Sequence, residues 1–137
     1  MPVKFNNPMK TITIEGKNIT DIATFYQEIN RVFMSNENWK IGPSLDALND
    51  LLYGGFGAID SKEPITLIWK NLEENRKTLG LKTTKKFYES KLTAPEIYNI
   101  NFVKGKITAL ESSNGSTYFE IILEIISDHS NIKLKVL

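Results

Sequence analysis

The chain has 137 residues, 41% hydrophobic and 24% charged, the composition of an ordinary globular domain long enough to bury a real core. Seventeen Lys and Arg against sixteen Asp and Glu leave a net charge of +1, so no whole-molecule charge argues for nucleic acid or an anionic membrane. The absence of cysteine excludes disulfides, thiolate metal sites and a cysteine nucleophile, and it fits a reducing cytoplasm.

Met1 to Lys10 holds no apolar core, so no secretory signal is expected. No apolar run approaches the roughly 18 residues of a membrane-spanning helix. Residues 1–9, with Pro2, Pro8 and two asparagines, read as an irregular lead-in. Lys10 to Glu15 alternates Ile12 and Ile14 with Thr11 and Thr13, a strand that Gly16 ends. Thr20 is placed to cap a helix with apolar positions Ile22, Phe25, Ile29, Val32 and Phe33. Ser35 to Pro43 reads as a loop carrying Trp39, Lys40 and Gly42. The acceptor patterns Asn18-Ile19-Thr20 and Asn114-Gly115-Ser116 read as local capping and turn residues in an unsecreted protein.

Residues 44–55 form the most informative stretch. Leu45, Leu48, Leu51 and Leu52 make an apolar stripe, while Asp46, Asn49, Asp50 and Tyr53 share the opposite face. Ser44 is a good N-cap, and Gly54 or Gly55 is placed to end the helix in a left-handed cap. Two aspartates one turn apart repel by roughly 0.2–0.5 kcal/mol, which stability alone does not explain. A glycine-rich loop from Gly54 through Phe56 continues to Glu63.

Pro64 to Lys70 predicts a buried strand, continuous through Ile65, Thr66, Leu67, Ile68 and Trp69. Helices are expected over Asn71–Leu79, with Gly80 as a stop, and over Thr84–Leu92. Pro95 and Glu96 look like the first turn of a helix with the stripe Ile97, Ile100, Val103, Ile107 and Leu110. Thr117 and Glu120 form a capping box for a helix through Ile126, and Asn131 to Leu137 alternates as a last strand. Helical connections between strands force parallel pairing with right-handed crossovers. The fold class is therefore α/β, a small three-stranded parallel sheet covered by helices, in one domain over residues 1–137.

Catalytic and metal motifs are weak. His129 is the only histidine and reads as a capping residue rather than a ligand. Gly54-Gly55-Phe56-Gly57 follows a helix and lacks the Gly-Lys-Ser/Thr ending of a phosphate loop. No nucleophile elbow is present. Lys82, Lys85, Lys86 and Lys91 read as a solvated face over Phe87 and Tyr88 rather than a nucleic-acid contact. No cofactor and no metal are expected. Asp46 and Asp50 remain open to three readings: a solvated face, carboxylates of a metal-assisted hydrolase, or a docking face for a basic protein.

Gly42 followed by Ser44-Leu45-Asp46-Ala47-Leu48-Asn49-Asp50-Leu51-Leu52 resembles the motif of the barstar family, intracellular bacterial inhibitors of secreted guanyl-preferring ribonucleases. Glu15-Gly16, Thr20-Asp21, Pro64 before an apolar strand, Trp69 with Leu72-Glu73, and a late helix before the C-terminal strand resemble it too. The likeness covers about residues 10–80 and 117–137. Residues 57–63 and 81–116 are expansions, the second an extra helical insertion before the last helix. The resemblance implies a non-enzymatic, cytoplasmic immunity protein or antitoxin, a monomer when free. Its partner would be a ribonuclease or nuclease toxin, with no direct nucleic acid and no membrane. Asp50 would mimic the substrate phosphate and Asp46 would be a second contact. Lys40, Gly42 and Ser44 before the helix, Asn49 and Tyr53 on it, Gly54, Gly55 and Phe56 after it, and Asp128 on the late helix would complete the surface. Lys40 and Asn49 stand where the best-known member carries aromatic residues, which leaves the target open.

Overall fold

The computed structural model describes residues 10–137, so the lead-in expected over residues 1–9 lies outside the described residues. Strands β1 (Lys10–Glu15), β2 (Ile65–Lys70) and β3 (Ile132–Val136) pair in parallel, in the order β1-β2-β3. Leu67 lies between Ile12 and Leu134, and Trp69 between Ile14 and Val136. Helices α1 (Ile22–Phe33) and α2 (Leu45–Tyr53) separate β1 from β2. Helices α3 (Leu72–Thr78), α4 (Leu81–Lys91), α5 (Ile100–Glu111) and α6 (Tyr118–Ser127) separate β2 from β3. This is the expected α/β architecture.

The helices cover one face of the sheet. Both crossovers step the same way, and with the default right hand they bring every helix to one side. Burial follows that geometry. Ile12, Ile14, Ile65, Leu67, Trp69 and Ile132 are buried, whereas Thr66 and Ile68 are half-buried and Lys133 is exposed. β2, expected to be buried throughout, therefore alternates.

Local chemistry sets the element ends. Asp21, one residue after the expected Thr20, caps α1. Its Oδ1 accepts the Thr24 amide at 2.8 Å, and the Thr24 hydroxyl faces back to the Asp21 amide at 2.9 Å, a reciprocal box. Ser44 and Thr117 cap α2 and α6 as expected. α4 starts at Leu81, three residues early, where Gly80 lets the chain turn straight out of α3. α5 starts at Ile100 rather than Pro95, because the Asn99 side chain accepts the Phe102 amide at 3.0 Å. Ile97 therefore falls outside the helix and is 71% exposed.

Three buried polar nodes lock the layers. Asn75 is 0% exposed. Its amide nitrogen donates to Gly16 O at 2.9 Å and Ile19 O at 3.2 Å, and its Oδ1 accepts Trp69 Nε1–H at 2.7 Å. Gly16 has no room for a Cβ, which would collide with Lys70 O and Asn75 Oδ1. Glu28 accepts from the Glu15 amide at 2.8 Å, from Asn18 at 3.0 Å and twice from Arg31. Burial pushes the Glu28 carboxyl up, but these donors outweigh it and hold the group below its ordinary 4.5. The hydroxyls of Tyr26 and Tyr118 meet at 2.6 Å and join α1 to α6 inside the core.

Candidate partner-binding surface

α2 carries the surface. Leu48, Leu51 and Leu52 are fully buried and fix its orientation. The opposite face divides into two pairs. Asp46 and Asp50 are exposed and enter no ion pair among the described residues. Asn49 and Tyr53 lean toward the end of α6. Asn49 Oδ1 lies 2.8 Å from His129 Nε2. The Tyr53 and His129 rings meet edge-on at 4.6 Å. A carbonyl oxygen only accepts, so His129 holds its proton on Nε2. His129 is thus a buried clamp between α6 and α2, not the capping residue expected.

Asp128 is exposed at the C-terminal cap of α6, next to that clamp. The fold therefore brings Asp128 to the α2 end of α6. Gly54 ends α2 with φ +91° and ψ −172°. This conformation suits glycine, but it is not the left-handed helical cap expected.

Two loops flank α2, and each is tied down. In the first, Ile41 is buried, with its amide donating to Asn30 Oδ1 at 2.9 Å and its carbonyl accepting from Asn30 Nδ2 at 3.3 Å. Lys40, Gly42 and Ser44 are exposed along this loop. In the second, the Gly55 amide donates to Ile59 O at 2.9 Å, closing a tight turn with buried Ile59 at its base. Lys10 Nζ bonds Ala58 O at 2.7 Å and pairs with Glu63 at 2.9 Å, which fastens this loop to β1. The loops also hold each other. Glu37 Oε2 accepts the Gly57 amide at 2.7 Å, and the Trp39 and Phe56 rings lie 5.1 Å apart.

The edge of the surface is therefore aromatic, with Trp39 47% exposed and Tyr53 55% exposed. Trp39, Glu37, Asn30 and His129 were not among the residues expected on this surface from the sequence. Only Trp39 gave a signal there, as a lone aromatic in a polar loop. The acidity is concentrated by the same packing. Lys10 pairs with both Asp60 and Glu63, which leaves Asp46 and Asp50 as the carboxylates of residues 44–63 that enter no ion pair among the described residues. Among the described residues no group of three or more His, Asp or Glu is arranged to hold a metal ion. No helix there is long and apolar enough to cross a membrane.

Two measurements probe this construction. Burial pushes the His129 imidazole below its ordinary 6.5, Asp128 opposing and Lys62 assisting. Between 6.5 and the lower folded value the unfolded chain binds a proton that the folded chain does not. Stability should fall as pH drops through that window, and His129→Gln should remove that slope. The single histidine gives one ring resonance to follow by NMR, and a midpoint at or above 6.5 would contradict the buried clamp. Second, Glu37→Ala deletes a charge-assisted bond and should cost about 1–2 kcal/mol. Trp69 is fully buried, so added acrylamide quenches chiefly Trp39. Its quenching should rise in Glu37→Ala as the ring leaves Phe56; unchanged quenching would mean that the loops are held without Glu37.

A family model described as Barstar (barnase inhibitor) matches residues 9–89, from β1 through most of α4. A search of curated proteins returns no match.

Proposed function

The chain belongs to the barstar family, and we propose that it is an immunity protein or antitoxin that binds and blocks the active site of a barnase-like ribonuclease or related nuclease toxin. The family is described by inhibition of a ribonuclease, and inhibition rather than catalysis is the general role this membership supports. The observation that carries the finer reading is the acidic face of α2. Two exposed carboxylates stand one turn apart and enter no ion pair among the described residues.

A ribonuclease active site is a cationic cleft built for phosphate. A carboxylate on a rigid helix can accept paired, charge-assisted bonds from an arginine there. Asp50 takes the phosphate position in this reading, and Asp46 and Asp128 add complementary charge that speeds encounter and fixes register. Trp39, Phe56 and Tyr53 give the charged centre an aromatic border, as hot-spot surfaces prefer. Trp39, beside Lys40, supplies an aromatic ring to the loop where Lys40 itself does not. Loops already held by Asn30, Glu37 and Lys10 lose little further freedom on binding, which favours affinity. The protein acts in the cytoplasm in this reading, in keeping with its lack of cysteine.

The test is cleavage of a fluorogenic RNA by barnase, and by any ribonuclease encoded beside this gene, with the chain added. Stoichiometric inhibition that competes with RNA and weakens with salt is expected. Failure to inhibit either enzyme, or inhibition that RNA does not relieve, would remove active-site blockade.

A further inference from the structure

A second surface, of opposite charge, runs across the end of the family match. The family match ends at residue 89, inside α4. Residues 81–116 hold six lysines against three glutamates, whereas the rest of the chain holds eleven Lys and Arg against thirteen Asp and Glu. α5 buries Val103 and Leu110 and leaves an apolar group outside. Ile97 is 71% exposed, Phe102 is 61% exposed and Tyr98 is 39% exposed. Isolated exposed apolar residues need no explanation, but three within six positions form a patch.

Two lysines lie against that patch, and one exposed carboxylate, Glu96, adjoins it in sequence. Lys106 Nζ lies 5.2 Å from the Phe102 ring centre and Lys91 Nζ lies 5.0 Å from that of Tyr98. Lys82, Lys86 and Lys104 are exposed and enter no ion pair among the described residues, while Lys85 pairs with Glu111 at 2.8 Å. The patch stands apart from the α2 face. α4 meets the start of α6, where Thr84 Oγ1 accepts the Tyr118 amide at 2.7 Å, and α2 meets its end at His129. The ten residues of α6 put about 15 Å between the two ends.

We propose that α4 and α5 form a second docking surface, for an acidic, amphipathic segment of a protein partner. An apolar centre with lysines against it calls for an apolar stripe flanked by carboxylates. Single-stranded nucleic acid fits less well, because the ammonium groups already lie against the Tyr98 and Phe102 rings on which bases would stack. Two copies joined through this same patch would oppose lysine to lysine.

The test uses the full chain, isotopically labelled, and a synthetic helical peptide of glutamate and leucine with its leucines on one face. A scrambled peptide of the same composition and a uridine oligonucleotide are the comparisons. The helical peptide should bind, shift amides 97–106, and bind at least about tenfold more weakly to the Ile97→Ala/Phe102→Ala and Lys104→Glu/Lys106→Glu variants. Asp50→Ala should bind it as wild type does, so this surface is judged independently of nuclease inhibition. Thermal melts of the variants, all at exposed positions, confirm that the fold is intact. No binding, equal binding of the scrambled peptide, or shifts elsewhere would overturn the proposal. Oligouridine binding at 97–106 in preference to the peptide would assign the surface to nucleic acid. Concentration-dependent self-association lost in the same variants would assign it to a second copy.

Discussion

Asn75→Leu should lower the stability of the fold by about 3–5 kcal/mol, well beyond the cost of a typical single substitution. The substitution fills nearly the same volume, so the loss comes from partners rather than from a cavity. Trp69 Nε1–H and the carbonyls of Gly16 and Ile19 each lose a bond inside the protein, and Asn75 lies where no water reaches it. Leaving a buried donor or acceptor unmatched costs about 1–3 kcal/mol each. A domain of this size has about 5–15 kcal/mol in total, so the variant should melt roughly 10–20 °C lower or fail to accumulate. A double-mutant cycle isolates the mechanism. Trp69→Phe removes the orphaned N–H, so it should cost less in the Asn75→Leu background than in wild type. Strict additivity would show that the Asn75–Trp69 bond contributes nothing and that the cost lies in the carbonyls alone.

Asn75 also marks where sequence reading stops. Alternating Ile and Thr in β1, leucines three and four apart in α2, and Thr117 with Glu120 at α6 are local patterns, each decided by residues within a few positions. They gave the strands, their parallel pairing and two of the helix caps. Asn75 lies in α3 among Glu73, Glu74, Arg76 and Lys77, and nothing local distinguishes it from a solvated residue. The carbonyls it donates to, of Gly16 and Ile19, are 59 and 56 positions away, and only the meeting of α3 with the turn after β1 creates the need for it. His129 is hidden for the same reason, with Asn49 a full 80 positions distant.

The errors at helix ends have a different origin. Thr20 and Asp21 are both competent caps, and the choice between them turned on the hydroxyl of Thr24, which reciprocates with Asp21. Pro95 suits a first helical turn, but Asn99 supplied a side-chain acceptor that Pro95 lacks. At the proposed docking surface, the acidic face of α2 was legible because helical periodicity gathers Asp46 and Asp50. The supports of that face were not. Asn30, Glu37 and Lys10 act on loops 11, 20 and 48 positions away, and no short-range pattern announces such contacts.

Asp50→Ala should separate binding from folding. In the free protein the substitution relieves the repulsion between Asp46 and Asp50, worth roughly 0.2–0.5 kcal/mol. It also replaces a poor helix former by the best one in the middle of α2, a gain of about half a kcal/mol. The variant should therefore melt at the wild-type temperature or a few degrees above it. Its affinity for the proposed ribonuclease partner should collapse. Truncating a charged hot spot costs at least about 2 kcal/mol and up to about 4–8, or roughly thirty-fold to beyond ten-thousand-fold in Kd. The upper end of that range was set by a barstar-family complex, so it is not an independent expectation for this chain. Asp50→Asn keeps the shape and one acceptor while removing the charge. It should lose most of the affinity if pairing with arginine dominates, and little if shape does. Asp46→Ala should lose less and should slow association rather than speed dissociation, as a peripheral charge does. Stability should thus rank the variants in the opposite order to affinity, as expected if the acidic pair is retained for binding rather than for the fold. An Asp50→Ala variant that inhibits within threefold of wild type would move the binding centre away from Asp50, toward Trp39, Phe56 and Tyr53 at the edge.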